Sequence, residues 1–228
     1  MMNLGGHSAN TDNVTPITVK QRIPVFGDDA SVLANIYEQN VGLAVWNRQM
    51  SDALLSAVGE TLKKTTPPNI AIALAPDDAL GAVAEMLSTD KDNALCQDVA
   101  ELVEMFSYLF DAKRIGLRLA ALDSAMCPRF HVDRIPCRMV TTYHGPGTEW
   151  LQHRSVDRSH LGVGRPDRCD RTAGLYKSVD DIQTLTCGQV AIMKGEEWPQ
   201  NGGAGQVHRS PAVENGERRL FLSLDIAT

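Results

Sequence analysis

The sequence predicts an α+β fold in which a mainly helical N-terminal half supports a C-terminal antiparallel β-barrel or jelly roll. Apolar residues recur at helical spacing mainly before residue 113, whereas short strand-like runs between turn-rich connections dominate after it. Charge divides at the same place, because residues 1–112 carry six Lys and Arg against 15 Asp and Glu, and residues 113–228 carry 16 against 13. We therefore expect three regions: a flexible N-terminal arm over 1–25, a helical support region over 26–112 and a β core over 113–228.

In the N-terminal half the apolar pattern predicts four helices and two strands. Ser31 can cap the first of these helices. Residues 51–64 illustrate the helical signal, because Leu54, Val58 and Leu62 recur on one face. The apolar stripes of these helices face the core, so no chemistry is assigned to them. The predicted helices are 31–37, 51–64, 77–87 and 93–112, and the predicted strands are 42–46 and 70–75.

In the C-terminal half the pattern predicts strands that alternate with long polar connections. The predicted strands are 115–122, 137–143, 189–193 and 219–226, and the connections 144–175 and 195–206 are rich in Gly, Pro, Asp and Arg. Several short strands with such connections favour two packed antiparallel sheets.

Composition excludes several classes of protein. The net charge of -6 argues against a general nucleic-acid binder. No apolar run approaches the roughly 18 residues that a membrane helix needs, and the first residues do not resemble a secretory leader. The five cysteines lack CxxC spacing, which favours reduced thiols. We therefore expect a cytoplasmic protein without nucleic-acid or membrane partners.

Two segments of the C-terminal half contain candidate metal ligands. Alternation along an extended chain places His131 and Asp133 on the same side of the backbone. His208 follows 75 residues after Asp133, beyond a second strand and a Gly-rich loop, and it could complete a face of two histidines and one carboxylate. Arg218 lies ten residues after His208, where its guanidinium could bind the far carboxylate of a 2-oxo diacid.

These residues resemble the iron(II)/2-oxoglutarate-dependent oxygenase superfamily, in its prolyl-hydroxylase-like branch. The resemblance covers about residues 113–228 and includes an HxD motif, a strand that ends in tyrosine, a Gly-led strand, a distal histidine and a Gly-x-basic pair. More narrowly, the strings CPRFHVDR and YHGPGTEWL resemble an uncharacterised bacterial family of unknown function. The matching segments are His131-Val-Asp133, 138–143, 147–149, 188–193, His208, Pro211, Gly216 and Arg218.

The resemblance implies a double-stranded β-helix, a cupin-like jelly roll, that hydroxylates a substrate with Fe(II) and 2-oxoglutarate. It implies that His131, Asp133 and His208 bind the metal, that Arg218 binds 2-oxoglutarate and that Tyr143 assists at the co-substrate carboxylate. Arg219 is an equally basic candidate on the opposite face of the strand, so the choice between the two arginines stays open.

Other interpretations of the same residues stay open. A cupin-like metal enzyme without 2-oxoglutarate would not need Arg218, and a zinc-handling protein without turnover could use Cys127 and Cys137 on either side of the HxD motif. Glu149 and Trp150 are expected either to line a pocket or to shape a turn.

The Arg-rich segment after residue 150 is either a solvated surface or a lid that attracts an anionic substrate. Its arginines are Arg154, Arg158, Arg165, Arg168 and Arg171. The substrate itself, a small molecule or a protein side chain, is not specified by the sequence, nor is the choice between a monomer and a homodimer.

Overall fold

The largest element of the protein is a mixed seven-stranded sheet that takes strands from both halves of the chain. The computed structural model describes residues 21–162 and 170–227. In chain order the strands are β1 (Ile23–Gly27), β2 (Val41–Trp46), β3 (Asn69–Leu74), β4 (Ile115–Leu122), β5 (Cys137–His144), β6 (Glu149–Leu151), β7 (Ile182–Thr184), β8 (Val190–Lys194), β9 (His208–Arg209) and β10 (Arg219–Ile226).

The strands divide between two sheets. The large sheet has the order β1-β2-β8-β5-β10-β4-β3, in which β1 and β2 are parallel and the other neighbours are antiparallel. The small sheet has the order β7-β6-β9, and a single antiparallel bridge joins His131 to His208 at its β9 edge. The small sheet therefore brings the two predicted histidine segments side by side.

Three α-helices and one longer 3₁₀ helix accompany the sheets. They are the 3₁₀ helix Ala30–Tyr37, α1 (Asp52–Lys63), α2 (Ala79–Leu87) and α3 (Ala94–Phe110). Ser51 caps α1 by accepting a hydrogen bond from the Leu54 amide, and Asn93 caps α3 in the same way. Asp29, not the predicted Ser31, caps the 3₁₀ helix, because its carboxylate accepts from the Ser31 amide.

Alternation along β10 separates the two faces of the large sheet. Leu220, Leu222 and Leu224 are buried in the main core, together with helix residues such as Val99 and Phe106. Phe221 belongs instead to a second core cluster, which includes Trp150 of the small sheet. One face of the large sheet therefore carries the helices, and the other faces the small sheet.

Most of the predicted elements agree with the structure to within a few residues, and the limits 115–122 and 219–226 are those observed. Residues 1–20 of the predicted arm lie outside the described residues, but residues 23–25 belong to β1, which pairs with β2, and are not part of a free arm. The large sheet continues across the expected boundary at residue 112, because β3, which precedes it, pairs along its whole length with β4, which follows it. Within the described part of the chain, no helix is both long and apolar enough to cross a bilayer.

Candidate metal centre and its cavity

His131, Asp133 and His208 converge at the edge of the small sheet. One possible ligand atom of each residue lies within 4.8 Å of those of the other two. The Nε2 atom of His131 is 3.6 Å from Asp133 Oδ1, and Nε2 of His208 is 3.4 Å from Asp133 Oδ2. The backbone bridge between the two histidines fixes this convergence, because each accepts a hydrogen bond from the amide of the other at 3.0 Å.

The two imidazoles are oriented by backbone carbonyls. Nδ1 of His131 lies 2.9 Å from the Arg129 oxygen, and Nδ1 of His208 lies 3.1 Å from the Gln206 oxygen. A carbonyl oxygen can only accept, so each Nδ1 carries the hydrogen and donates it. The Nε2 lone pairs are then left to face the carboxylate of Asp133, which is the arrangement that orients histidine ligands toward a metal.

The carboxylate of Asp133 is held but not fully satisfied. Its Oδ1 accepts a 2.9 Å ion pair from Arg138, whereas its Oδ2 is buried without a hydrogen-bond partner. Burial opposes ionisation of Asp133, but the adjacent imidazoles of His131 and His208 and the charge of Arg138 bring its pKa well below the usual range. The same carboxylate raises the pKa of His131, because it stabilises the protonated form of the imidazole.

These features fit a divalent cation. A buried carboxylate oxygen without a partner and two oriented imidazole nitrogens form a face of two nitrogens and one oxygen, which leaves other coordination positions open. Within residues 21–162 and 170–227, this is the group of His, Cys, Asp and Glu side chains whose atoms lie close enough to hold one ion.

A cavity of about 400 Å³ opens beside this group, between the large sheet and the small one. That volume is at the lower end of the range of small-molecule sites. The strand β10 supplies its floor through alternate residues, and His131 and His208 stand at its wall. The alternate β10 residues are Arg219, Phe221, Ser223 and Asp225.

Arg219 is the buried cation of this cavity. Its side chain is only 1% exposed, and its guanidinium donates hydrogen bonds to the hydroxyls of Ser210, Thr142 and Thr148 at 3.2, 3.1 and 2.9 Å. It also stacks on Phe221, 4.3 Å from the ring centre. Among the described residues no carboxylate pairs with it, and burial lowers its pKa to about 10.

Arg218, which the resemblance implies as the 2-oxoglutarate ligand, lies outside this cavity. Its guanidinium donates a 3.0 Å hydrogen bond to the Leu62 carbonyl at the end of α1, and it lines a separate surface depression with His144 and Glu217. Arg218 does not line the metal cavity, because alternation places it on the same face of the strand as Leu220, toward the helices.

Tyr143 is also remote from the cavity. Its side chain is buried in the core on the helical side of the large sheet, and its hydroxyl donates a 2.6 Å hydrogen bond to Asp98 of α3. Arg48 pairs with the same carboxylate, and burial together with the Asp98 charge raises the pKa of Tyr143 well above its usual value. The expected role of Tyr143 at a co-substrate carboxylate is therefore contradicted by its position; it links a strand to a helix.

The four cysteines that the structure describes do not join the metal group. Cys127 is exposed and lines the cavity, whereas Cys137 is buried on the helical face of the sheet, where desolvation raises its pKa to about 12. Their side chains therefore occupy different faces of the sheet, and the Cys-His-Cys alternative is not supported by the geometry.

Glu149 and Trp150 shape the small sheet. Glu149 forms a 2.5 Å ion pair with Arg209. Trp150 is buried between the sheets, and its ring centre lies 6.4 Å from that of Phe26. Neither side chain lines the cavity. Of the two interpretations that the sequence left open for them, their positions favour the structural one.

The Arg-rich segment touches the backbone beside both histidines. Arg158 donates a 2.7 Å hydrogen bond to the Gly205 carbonyl, and Asp170 accepts one of 2.9 Å from the Phe130 amide. Arg165 and Arg168 lie outside the described residues. Whether the segment acts as a lid stays a prediction.

Several side chains of the cavity were not identified from the sequence. Arg138 is contributed by β5, Thr148 by the turn that follows it and Arg118 by β4. The alternation of Leu220, Leu222 and Leu224 was a usable signal for Arg219, because an apolar face toward the helices turns the intervening residues toward the cavity. The alternation of Ile115, Leu117 and Leu119 offers the same signal for Arg118.

Comparison with known proteins gives a family and a fold. A family model described as a protein of unknown function (DUF1826) matches residues 27–225, and no curated protein matches the chain. The 2-oxoglutarate complex of the dioxygenase for auxin oxidation 1 from Arabidopsis thaliana is similar in structure, with 11% identity, a TM-score of 0.51 and coverage of 90% of this chain and 92% of that one. The rice dioxygenase for auxin oxidation is 14% identical, with a TM-score of 0.51 over 91% of this chain and 83% of that one. The chain thus has a mixed α/β fold similar to those of 2-oxoglutarate-dependent oxygenases.

Proposed function

The chain belongs to the DUF1826 family of proteins of unknown function, and we propose that it is an Fe(II)- and 2-oxoglutarate-dependent oxygenase that hydroxylates its substrate. The proposal depends chiefly on one observation: His131 and His208 of the metal group line the same cavity as Arg219, whose guanidinium has no acidic partner among the described residues. A metal face and a buried cation are the two features needed to hold a 2-oxo diacid by both of its ends.

The strand arrangement supports a double-stranded β-helix as the fold of the core. From residue 115 onward the described residues form eight extended segments, if the bridge at His131 is counted with the strands. The segments β4, β5, β8 and β10 are adjacent in the large sheet, and the His131 bridge, β9, β6 and β7 are adjacent in the small one. Four strands in each of two facing sheets is the plan of an eight-stranded jelly roll.

The role of each group follows from its contacts. His131, Asp133 and His208 would hold Fe(II), which when bound supplies dioxygen activation coupled to the oxidative decarboxylation of 2-oxoglutarate. Arg138 would keep the Asp133 carboxylate ionised and fixed through its 2.9 Å ion pair. The carbonyls of Arg129 and Gln206 would keep both Nε2 atoms free of hydrogen.

Arg219 would bind the distal carboxylate of 2-oxoglutarate. Its present hydrogen-bond partners are neutral hydroxyls, so its positive charge is not compensated by any carboxylate of the described residues. Desolvating a charge without compensating it is costly, and a bidentate carboxylate is the partner that a planar guanidinium binds best. This assignment replaces Arg218, whose side chain faces the helices.

Binding can be tested without knowledge of the substrate. The protein is loaded with Mn(II), which occupies such sites without turnover, and its affinity for 2-oxoglutarate is measured by calorimetry. We expect binding that requires the metal and that is lost in His208→Ala. His153→Ala is the matched control, because His153 lies outside the metal group. Binding of 2-oxoglutarate that is independent of metal, or unaffected by His208→Ala, would refute the proposal.

Turnover is the second test. Protein purified without oxygen is supplied with Fe(II), 2-oxoglutarate and air, and succinate formation is followed. We expect slow succinate formation even without substrate, abolished in Asp133→Ala. A cupin-like enzyme without 2-oxoglutarate would bind the metal but form no succinate, and replacement of Arg219 would leave its activity intact.

A further inference from the structure

The cavity contains a second arginine without an acidic partner, Arg118 of β4. Arg118 lies opposite Ser223 in the pairing of β4 with β10, and both residues line the cavity together with His131 and His208. The Arg118 Nε atom is buried without a hydrogen-bond partner, and no carboxylate among the described residues is within ion-pair distance of its guanidinium. It is therefore a cation in the cavity whose charge is not compensated by the protein.

The other charged residues that line the cavity have partners, Arg219 excepted. Arg138 pairs with Asp133 and, at 3.0 Å, with Asp225, and Arg209 pairs with Glu149. Asp225 is the one acid that the described residues contribute to the lining, and it is held by Arg138. It also packs over Gly116, where an added Cβ would come within 2.2 Å of the Asp225 Oδ1 atom. Asp225 is thus turned toward Arg138 and does not neutralise Arg118.

Arg118 and Arg219 stand at different parts of the cavity. In the register of β4 with β10, Arg219 faces Leu122, which is four residues along β4 from Arg118. At about 3.3 Å per residue, the two positions are roughly 13 Å apart along the sheet. One guanidinium can therefore bind the co-substrate while the other contacts a second ligand.

The geometry points to Arg118 as the residue that recognises a carboxylate of the primary substrate, an inference that rests on the proposed function. Much of the lining that Arg118 shares is apolar and includes Ile72, Met126 and Phe221. The expected substrate is therefore a small organic acid with an apolar body, whose carboxylate binds Arg118 bidentately while its body packs against these walls.

The inference can be tested with pairs of probes that differ only in charge. The protein is loaded with Mn(II) and saturated with 2-oxoglutarate, and the relaxation of probe protons by the paramagnetic metal reports binding in the cavity. The probes are phenylacetate against phenylacetamide, and hexanoate against hexanamide. We expect the wild-type protein to bind at least one acid tenfold or more tightly than its amide.

Two variants assign this preference to a residue. In Arg118→Gln the acid and the amide are expected to bind equally, whereas Arg114→Gln keeps the preference, because Arg114 is exposed and contacts only the Ala73 carbonyl. Affinity for 2-oxoglutarate is measured in each variant and is expected to stay within twofold of wild type. That measurement also shows that each variant is folded.

Three results would overturn the inference. They are no charge preference for either pair in the wild-type protein, a preference that persists in Arg118→Gln, and a loss of 2-oxoglutarate affinity in Arg118→Gln, which would make Arg118 a co-substrate residue. Failure of the wild-type protein to bind 2-oxoglutarate with Mn(II) would instead refute the proposed function, and the inference with it.

Discussion

Arg218 and Arg219 are adjacent in the chain but face opposite sides of the sheet, so replacing each by methionine should affect different properties. Arg219 lies in the metal cavity without an acidic partner, and Arg218 ties the strand to the end of α1 through the Leu62 carbonyl. Methionine keeps much of the length of arginine and removes the charge. The pair therefore separates a role in co-substrate binding from a role in packing.

The expected loss of affinity in Arg219→Met follows from the burial of its guanidinium. Removing one partner of a buried, hydrogen-bonded charge pair costs about 2–5 kcal/mol, and a value of about 3 kcal/mol corresponds to roughly 100-fold weaker binding of 2-oxoglutarate. Without co-substrate, the free energy of unfolding of Arg219→Met should differ from that of the wild-type protein by less than about 1 kcal/mol. The variant loses three hydrogen bonds to hydroxyls, which destabilises it, but it also no longer buries a charge without an acidic partner, which stabilises it by a similar amount.

Arg218→Met should show the opposite behaviour. It loses one partly buried hydrogen bond to a carbonyl, which contributes about 0.5–1.5 kcal/mol. The melting temperature should fall by a few degrees, at roughly 2–4 °C per kcal/mol for a chain of this size. Its affinity for 2-oxoglutarate should match that of the wild-type protein.

Thermal melting of the Mn(II)-loaded protein measures both properties in one series. At a 2-oxoglutarate concentration 100 times the Kd, the wild-type protein should gain about 2.7 kcal/mol, or roughly 5–10 °C. Arg218→Met should keep that gain from a lower starting temperature, and Arg219→Met should lose most of it. The assignment of Arg219 would be wrong if the two variants exchanged these behaviours, or if Arg219→Met kept the full gain.

Three further predictions concern positions outside the cavity. Tyr143→Phe loses the 2.6 Å hydrogen bond to Asp98 and should destabilise the protein by about 1.5–3 kcal/mol in denaturant unfolding, with unchanged 2-oxoglutarate affinity; weaker binding would restore Tyr143 to the site. Gly59→Ala in α1 meets no atom within 4 Å and should stabilise the protein by about 0.5–1 kcal/mol, so a lower melting temperature would contradict the open surface around it. Burial lowers the pKa of Lys194 from 10.5 to about 8. Between pH 8 and 10.5 the folded chain therefore binds fewer protons at Lys194 than the unfolded chain does. The free energy of unfolding, measured relative to Lys194→Met, should accordingly rise from pH 8 to 10.5. A flat or falling difference over that range would show that Lys194 is not desolvated.

Local patterns predicted the helices and six of the strands, but they did not predict β1, β6, β7 and β9. The helical stripe of α3 and the alternation of β10 each show which residues are buried, and the observed limits differ from the expected ones by at most a few residues. The partners of the strands were not readable, because the apolar run of β3 fits the edge of any sheet. Its pairing with β4, which joins the two halves of the chain, depends on contacts between distant residues.

The HxD motif was the most informative feature of the site. Its two-residue spacing places His131 and Asp133 together in any extended segment, and the structure brings His208 to them through a backbone bridge. The choice between Arg218 and Arg219 needed one further fact, namely which face of β10 packs on the helices. The position of Tyr143 depended on the same fact, since its face of β5 is the one covered by α3.

What the sequence by itself determined, then, is most of the longer elements, the charge asymmetry of the two halves and the residue types able to form a metal face, because these depend on local spacing and chemistry. The tertiary structure decided which arginine enters the cavity, that Tyr143 belongs to the core, and that Arg118 is left without a partner. Each of those outcomes depends on which face of a strand is buried against another layer, and only the packing of the two sheets and the helices decides that.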